Sequence, residues 1–540
     1  MTTLSSIVKN GQQLQLSAGQ AAININDLVM IGGPGGEAFP VKLMDYAKTA
    51  AAGAILASTS TTYPASGSYS QELTGRLPAL TDAYGNIYIC ANTSASGAEI
   101  LKYSPAGSLL ASAAVGVSVG AMFFLSNGSI CMVGASTWNS ASSFVGYMIV
   151  DTSLNTITAA TTTAIAVRQQ TVQPSAIPLT GGGFAVVCVN SAGTQILLST
   201  FDNNGVAVLA ATNIQTFGGT PGTITTAMAQ LSNGNIVAAF KSQTATPATT
   251  SFVVVTISGV SVVANTTLDS AAEGGLIDIS VLPGYFCIAK FAIGWSGTSA
   301  VVAAVYNNAG AIQGGKYTSA TYTSQFAVFY PCVKVINDGV SFWVVNGTGT
   351  SSIVSFSTAG VSKEFTSVSI MAPAQSGVAY VSVDAVISNG LLLVFANNPS
   401  AATSSGGKCF VISLPNTALG VTSIAQVTSF AQGPAANGGA GYPRILSGGD
   451  FTAIFVWDNN NSTVYFSIYK TTASAIIGVS QTAVAAGNPG TLINVNEGPG
   501  GYPCNTLVGS VGGQSYDHST ATPVGNKGKL FTNGVTMTGM

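Results

Sequence analysis

Charge is what this 540-residue sequence has least of. Only 6% of its residues are Asp, Glu, Lys or Arg, against about 25% in an ordinary soluble domain. Sixteen basic and 18 acidic residues leave a net charge of −2, and only Arg76, Arg168 and Arg444 are arginines. Nothing here supplies the clustered positive field that nucleic-acid binding needs, so no nucleic-acid partner is expected. The sole histidine is His518. That excludes multi-histidine metal sites within one chain and His-dependent triads elsewhere in it. The seven cysteines, Cys90, Cys131, Cys188, Cys287, Cys332, Cys409 and Cys504, are scattered with no C-x-x-C pair. Zinc spacing is missing, and small buried hydrophobes are the expected role. No metal and no cofactor is expected. Despite a positive mean hydropathy, no apolar run approaches the roughly 20 residues of a spanning helix, so membrane insertion is not expected. The opening "MTTLSSIVKNGQQLQLSAGQ" lacks a basic region followed by an apolar core, which predicts synthesis in the cytoplasm without a signal peptide.

What the chain does have is a repeat. "AMFFLSNGSICMVG", "MAQLSNGNIVAAF" and "SVDAVISNGLLLVFA" share one grammar: a strand, a glycine turn and an apolar strand. The turn glycine falls at Gly85, Gly128, Gly182, Gly234, Gly284, Gly339, Gly390 and Gly448, with separations of 43 to 58 residues. Propeller blades have periods of about 40–50 residues. In the third unit, "SAIPL", a glycine turn and "FAVVCVN" lead into "TQILLSTFD-NNG-VAVLAAT". That is two hairpins, the second turning at Asn-Gly, which tolerates positive φ. The second strands are apolar at both parities, as in "GFAVVCV" and "GLLLVFA". Strict alternation would leave one face in water, so both faces of each sheet should be covered. Stacked blades meet that requirement, and so does the inner sheet of a sandwich; the regular period favours radial stacking.

The expected fold is therefore all-β: a propeller of about eight four-stranded blades, or seven, over 77–484, with a string of sandwich domains as the alternative. The first unit, "DAYGNIYICANTSASGAEILKYSPAGSLL", resembles blades of NHL-like propellers through its aspartate, turn glycine, Asn-hydrophobic-Tyr strand and "ILKYSPAG" hairpin. Kelch signatures and the sialidase Asp-box are missing.

Two flanking regions break the pattern, and small β-rich modules are expected in both. In 1–76, "GQQLQLSAGQAAININDLVMI" reads as two short strands and "VKLMDYAKTAAAGAILA" as a short helix. Ser17–Ile31 and Ala38–Val41 resemble the N-terminal modules of tailed-bacteriophage virion proteins. Residues 485–540 end in "GKLFTNGVTMTGM" and resemble the closing segment of phage fibre and decoration proteins. The resemblance implies a structural virion protein: a tail fibre, tail tip or head decoration. It would bind other virion proteins, or host-surface glycan, and form a homo-oligomer such as a trimer. The end regions would attach or oligomerise it, and no enzymatic activity is expected. The alternative is a polysaccharide-degrading propeller enzyme, a lyase or glycoside hydrolase.

The candidate site residues follow from composition. Trp138, Trp295 and Trp457, the last with Asn459, Asn460 and Asn461, lie in or beside connections between second and third strands. Those connections share one rim of a propeller, where aromatic rings and amides can stack on and hydrogen-bond to sugars. A glycosidase would need two facing carboxylates. Among Asp82, Asp278, Asp338, Asp384, Asp450 and Asp458, the pair Asp278 and Asp384 stands six residues before the turn glycine of two units. These two can face a central channel. Asp82 and Asp338 lie beside the turns, where Asp bonds backbone. Asp517–His518 beside Ser515 and Ser519 makes no local triad, since adjacent strand residues point to opposite faces. "IGGPGGEAF" lacks a P-loop ending. Arg444 is expected at an inter-blade or interface contact.

Overall fold

A computed structural model of the chain describes residues 77–365 apart from short connections, the strands between 382 and 494, and shorter strands at 14–17, 28–32, 37–40, 55–62, 510–511, 514–515, 529–531 and 536–538. The chain is a β-propeller of eight blades. The inner strands are Ala79–Thr81, Ser118–Phe124, Ser175–Pro178, Thr226–Gln230, Ile277–Leu282, Val333–Asn337, Ser382–Ser388 and Arg444–Ser447. Each begins a four-stranded antiparallel sheet, and the fifth sheet carries one further short strand, Tyr322–Thr323. Every inner strand contacts that of the next blade, and the eighth contacts the first. Thr81 Oγ1 donates 2.9 Å to the carbonyl of Ser447 across that last junction.

The turn glycines do what their position demands. Gly85, Gly128, Gly182, Gly234, Gly284 and Gly339 all have φ between 77° and 97°, a region that a Cβ disfavours. The second hairpins of blades 1, 3, 4, 5 and 6 use the same device at Gly107, Gly205, Gly259, Gly310 and Gly360. Blade 2 departs from it: Leu154 holds φ 68° there and is the only described non-glycine residue with positive φ.

Packing explains the run of apolar residues in the second strands. In blade 2, Ile130 and Met132 join Tyr88, Cys90 and Ile100 of blade 1. Their neighbours Cys131 and Val133 join Phe184, Val186 and Cys188 of blade 3. Successive residues thus face opposite neighbours, and the interfaces of blades 3/4, 4/5 and 5/6 repeat the arrangement. Burying one such aliphatic side chain contributes about 1.5–3 kcal/mol, and each interface holds roughly a dozen. Cys90, Cys131, Cys188 and Cys287 are free thiols inside these interfaces. Burial pushes the Cys188 thiol up to about 12 and raises the other three above the ordinary range.

The ends of the chain interleave with the ring. Ile55–Thr62 pairs antiparallel with Thr463–Lys470 and is the outer strand of blade 8, Thr62 opposite Thr463 and Ile55 opposite Tyr469. The residues 55–57 that the alanine-rich sequence predicts as helix are therefore strand. Next to this, Leu14–Ser17, Leu28–Gly32 and Glu37–Pro40 form one five-stranded sheet with Ile476–Ser480 and Pro489–Asn494. Strand pairing thus crosses both sequence boundaries, at 76 and at 484.

Candidate functional site

The channel is lined by the inner strands, and its two halves differ in chemistry. Six residues before the turn glycine, blades 1 to 4 carry Ala79, Met122, Ala176 and Met228. Blades 5 to 8 instead place Asp278, Lys334, Asp384 and Arg444 within the first three residues of their inner strands. The sign alternates around this half of the ring. All four stand at the end where inner strands begin and, the sheets being antiparallel, second strands finish.

These side chains act across the blade boundaries. Asp278 Oδ2 accepts the backbone N–H of Val335 at 2.7 Å and lies 3.2 Å from Lys334 Nζ. Asp384 Oδ2 accepts the N–H of Ile445 at 3.0 Å and lies 3.6 Å from Arg444 Nη1. In each case one carboxylate oxygen holds a base and the amide that follows it, both on the next blade. Asp384 is 1% exposed and Arg444 30%, while Asp278 and Lys334 are at 16% and 18%. A third pair, Lys290 Nζ to Asp269 Oδ2 at 2.6 Å, joins blades 4 and 5 away from the channel. Burial holds the Lys290 amine below its ordinary range, opposed by Asp269.

Beside Asp384 and Arg444 lies a cavity of about 590 Å³, bounded by the inner strands of blades 1, 2, 6, 7 and 8. Lys334, Asp384 and Arg444 are its charged lining. Thr81, Asn337 and Ser447 add polar groups, and Ile336, Val386 and Leu446 belong to its apolar wall. Among the described residues, no three His, Cys, Asp or Glu side chains are grouped so as to hold a metal ion.

The structure thus brings Asp384 and Arg444 together and gives Asp278 a basic partner that the sequence reading does not single out. Lys334 carries a signal only in hindsight: Lys334-Val335 and Arg444-Ile445 are the same basic–apolar dipeptide, each following an aspartate on the previous blade. Asp82 and Asp338 cap turns. Asp82 accepts from the backbone N–H of Asn86 at 2.8 Å and from the Tyr88 hydroxyl at 3.0 Å. Asp338 accepts from the N–H groups of Val340 and Ser341 and from Trp343 Nε1. Trp457 is the last but one residue of the second strand of blade 8, Thr452–Asp458, with its backbone opposite Tyr465. Trp138, Trp295, Asn459, Asn460, Asp450, Arg76, Arg168 and His518 lie outside the described residues.

No protein-family model matches the chain, and no curated protein matches it in sequence. Among solved structures, it is similar to the polysaccharide lyase Uly1 at 10% identity and a TM-score of 0.40, over 85% of this chain and 100% of that one. An ulvan lyase bound to a sulfated glucuronate–rhamnose saccharide is similar at 10% identity and a TM-score of 0.38, over 63% and 93% of the two chains. Hydrazine synthase of Kuenenia stuttgartiensis is similar at 11% identity and a TM-score of 0.35, over 53% and 77%. Likenesses this distant carry no argument about activity.

Proposed function

We propose that this chain is a non-enzymatic structural protein of a tailed-phage virion, which presents a propeller for binding a host-surface glycan or another virion protein. The observation that carries this reading is the use of the channel carboxylates. Asp278 and Asp384, the residues placed for acid–base work, each hold a base and a backbone amide of the next blade. A general acid or base must reach a substrate proton, and one oxygen of each carboxylate is engaged in holding the next blade. The interleaving of both chain ends in one sheet adds support. It pairs a segment that resembles a phage attachment module with the strands that follow blade 8, so that anchoring through it would tether the propeller.

Mass spectrometry of purified particles tests the assignment: the chain is expected at stoichiometric copy number, and its absence would overturn it. The enzymatic alternative is tested by depolymerisation of host capsular polysaccharide. Activity in the wild type that is lost in a folded Asp384→Asn variant would replace the display reading with a catalytic one.

A further inference from the structure

We propose that the charged half of the channel binds a carboxylate-bearing sugar, a uronate whose acid group is gripped by Arg444 beside Lys334. The inference deepens the glycan-recognition reading above and rests on it for the class of ligand. Its physical basis is a cation that the protein leaves incompletely used. Arg444 Nη1 stands 3.6 Å from Asp384 Oδ2, beyond hydrogen-bonding reach. Its Nε is buried with no hydrogen-bond partner. Among the described residues the guanidinium therefore has an ionic neighbour and no hydrogen-bonded acceptor. Its planar fork of five donors matches a carboxylate in bidentate fashion, and the cavity it lines is within the size range of small-ligand sites.

Charge points the same way. The charged lining is Lys334, Asp384 and Arg444; Lys334 is already paired with Asp278 at 3.2 Å, which leaves Arg444, 30% exposed and 3.6 Å from Asp384, as the cation most open to an incoming anion. Asp384 is almost fully enclosed and its Oδ2 is turned to the amide of Ile445, so the more accessible groups are the cations. The rest of the lining selects among anions. Ile336, Val386 and Leu446 give an apolar wall, and Thr81, Asn337 and Ser447 give hydroxyl and amide groups around it. A bare anion has no use for the wall, and an apolar acid has none for the hydroxyls. A uronate presents a C–H face, hydroxyls and a carboxylate on one ring.

Isothermal titration calorimetry of the full chain with D-glucuronate, D-glucose and acetate tests this, at low and at physiological salt. Glucuronate is expected to bind saturably and more weakly as salt rises, with glucose and acetate each at least about tenfold weaker. Arg444→Lys keeps the charge but loses the fork, and should weaken glucuronate binding about tenfold. Lys334→Gln should weaken it less, and Arg444→Gln should abolish it. Urea unfolding of each variant establishes that it is folded, and the wild-type and Lys334→Gln titrations decide the matter if the Arg444 variants are not. No saturable glucuronate binding, acetate binding as tightly as glucuronate, or indifference of a folded Arg444→Lys variant would each overturn the proposal. Absence of the chain from particles would overturn the virion assignment and leave these titrations standing.

Discussion

Removing the Asp384 carboxylate separates a clasp from a catalytic group, because the two roles predict different losses. The side chain is 1% exposed and receives the N–H of Ile445, itself buried. In Asp384→Ala that amide loses its acceptor, which costs about 1–3 kcal/mol. Arg444 loses its counter-charge but is 30% exposed and can hydrate, so the ionic part adds no more than about 1 kcal/mol. The sum is about 1–4 kcal/mol. Asp384→Asn keeps an amide oxygen for Ile445 and gives up only the charge, at about 1 kcal/mol. Asp278→Ala falls between, at about 1–2 kcal/mol, because its pair with Lys334 is partly hydrated and water can replace the lost acceptor. Urea unfolding followed by intrinsic fluorescence measures all three, with an unchanged m-value expected for a pure stability effect. A loss below about 0.5 kcal/mol in Asp384→Ala would refute the clasp, as surface-like changes do no more than that.

Three further outcomes follow from the packing. At Leu154 the usual order of Gly and Ala should invert: both variants lose the buried side chain, but only Gly relieves the positive φ, worth about 1–2 kcal/mol before its extra chain entropy. Leu154→Gly should therefore unfold at higher urea than Leu154→Ala by about 0.5–1 kcal/mol, and the wild type should exceed both. Alkaline pH should destabilise the fold steeply. The four buried thiols have folded pKa values above the ordinary 9.0, so the unfolded chain sheds protons first and stability falls as pH rises past 9. Each thiol contributes up to about 1.4 kcal/mol per pH unit. Lys290, held below 10.5, acts in the opposite sense but singly; denaturation curves at pH 8 and 10 that coincide would contradict the sign. Finally, deletion of residues 1–62 removes the outer strand of blade 8 and leaves Thr463–Lys470 as a bare edge. Self-association in light scattering is expected, and a monodisperse, fully cooperative truncated chain would show that the strand is dispensable.

The parts of this architecture that local chemistry dictates were open to reading, and those set by distant pairing were not. A turn that needs positive φ selects glycine, so the glycine ruler located six described hairpins directly. Apolar residues at both parities, as in Phe184–Val189, announced a sheet covered on two faces, which Ile130 and Cys131 display by facing different neighbours. The outer strand of blade 8 had no such mark. Its first residues, Ile55–Ala57, continue an alanine-rich run whose intrinsic preference is helical, and only Thr463–Lys470, some 400 residues later, makes them strand. Leu154 hid a hairpin position because its side chain, buried among Tyr88 and Met148, compensates for a backbone angle that glycine adopts freely in blades 1 and 3 to 6. At the site, the sequence marked Asp278 and Asp384 as equivalent and left their purpose open. Lys334 carries no mark of its own, because one lysine in an apolar strand has no periodic signature until its partner on the preceding blade is known.

What the few charges do then becomes a matter of direction. Three ion pairs, Asp269 with Lys290, Asp278 with Lys334 and Asp384 with Arg444, each cross from one blade to the next, with the acid on the earlier blade and the base on the later. Apolar burial dominates the energy of every interface, but it is non-directional. One valine- and alanine-rich blade face fits another almost regardless of order, and misdocking of similar units is the characteristic failure of repeat chains. A carboxylate that needs both a cation and a free N–H at one position of the adjoining strand is satisfied by a single neighbour. If it docks elsewhere, a buried charge is left without a partner at about 3–5 kcal/mol. In a sequence that is only 6% charged, placing two such clasps, at Asp278 and Asp384, between blades puts ionic groups where the hydrophobic effect discriminates least.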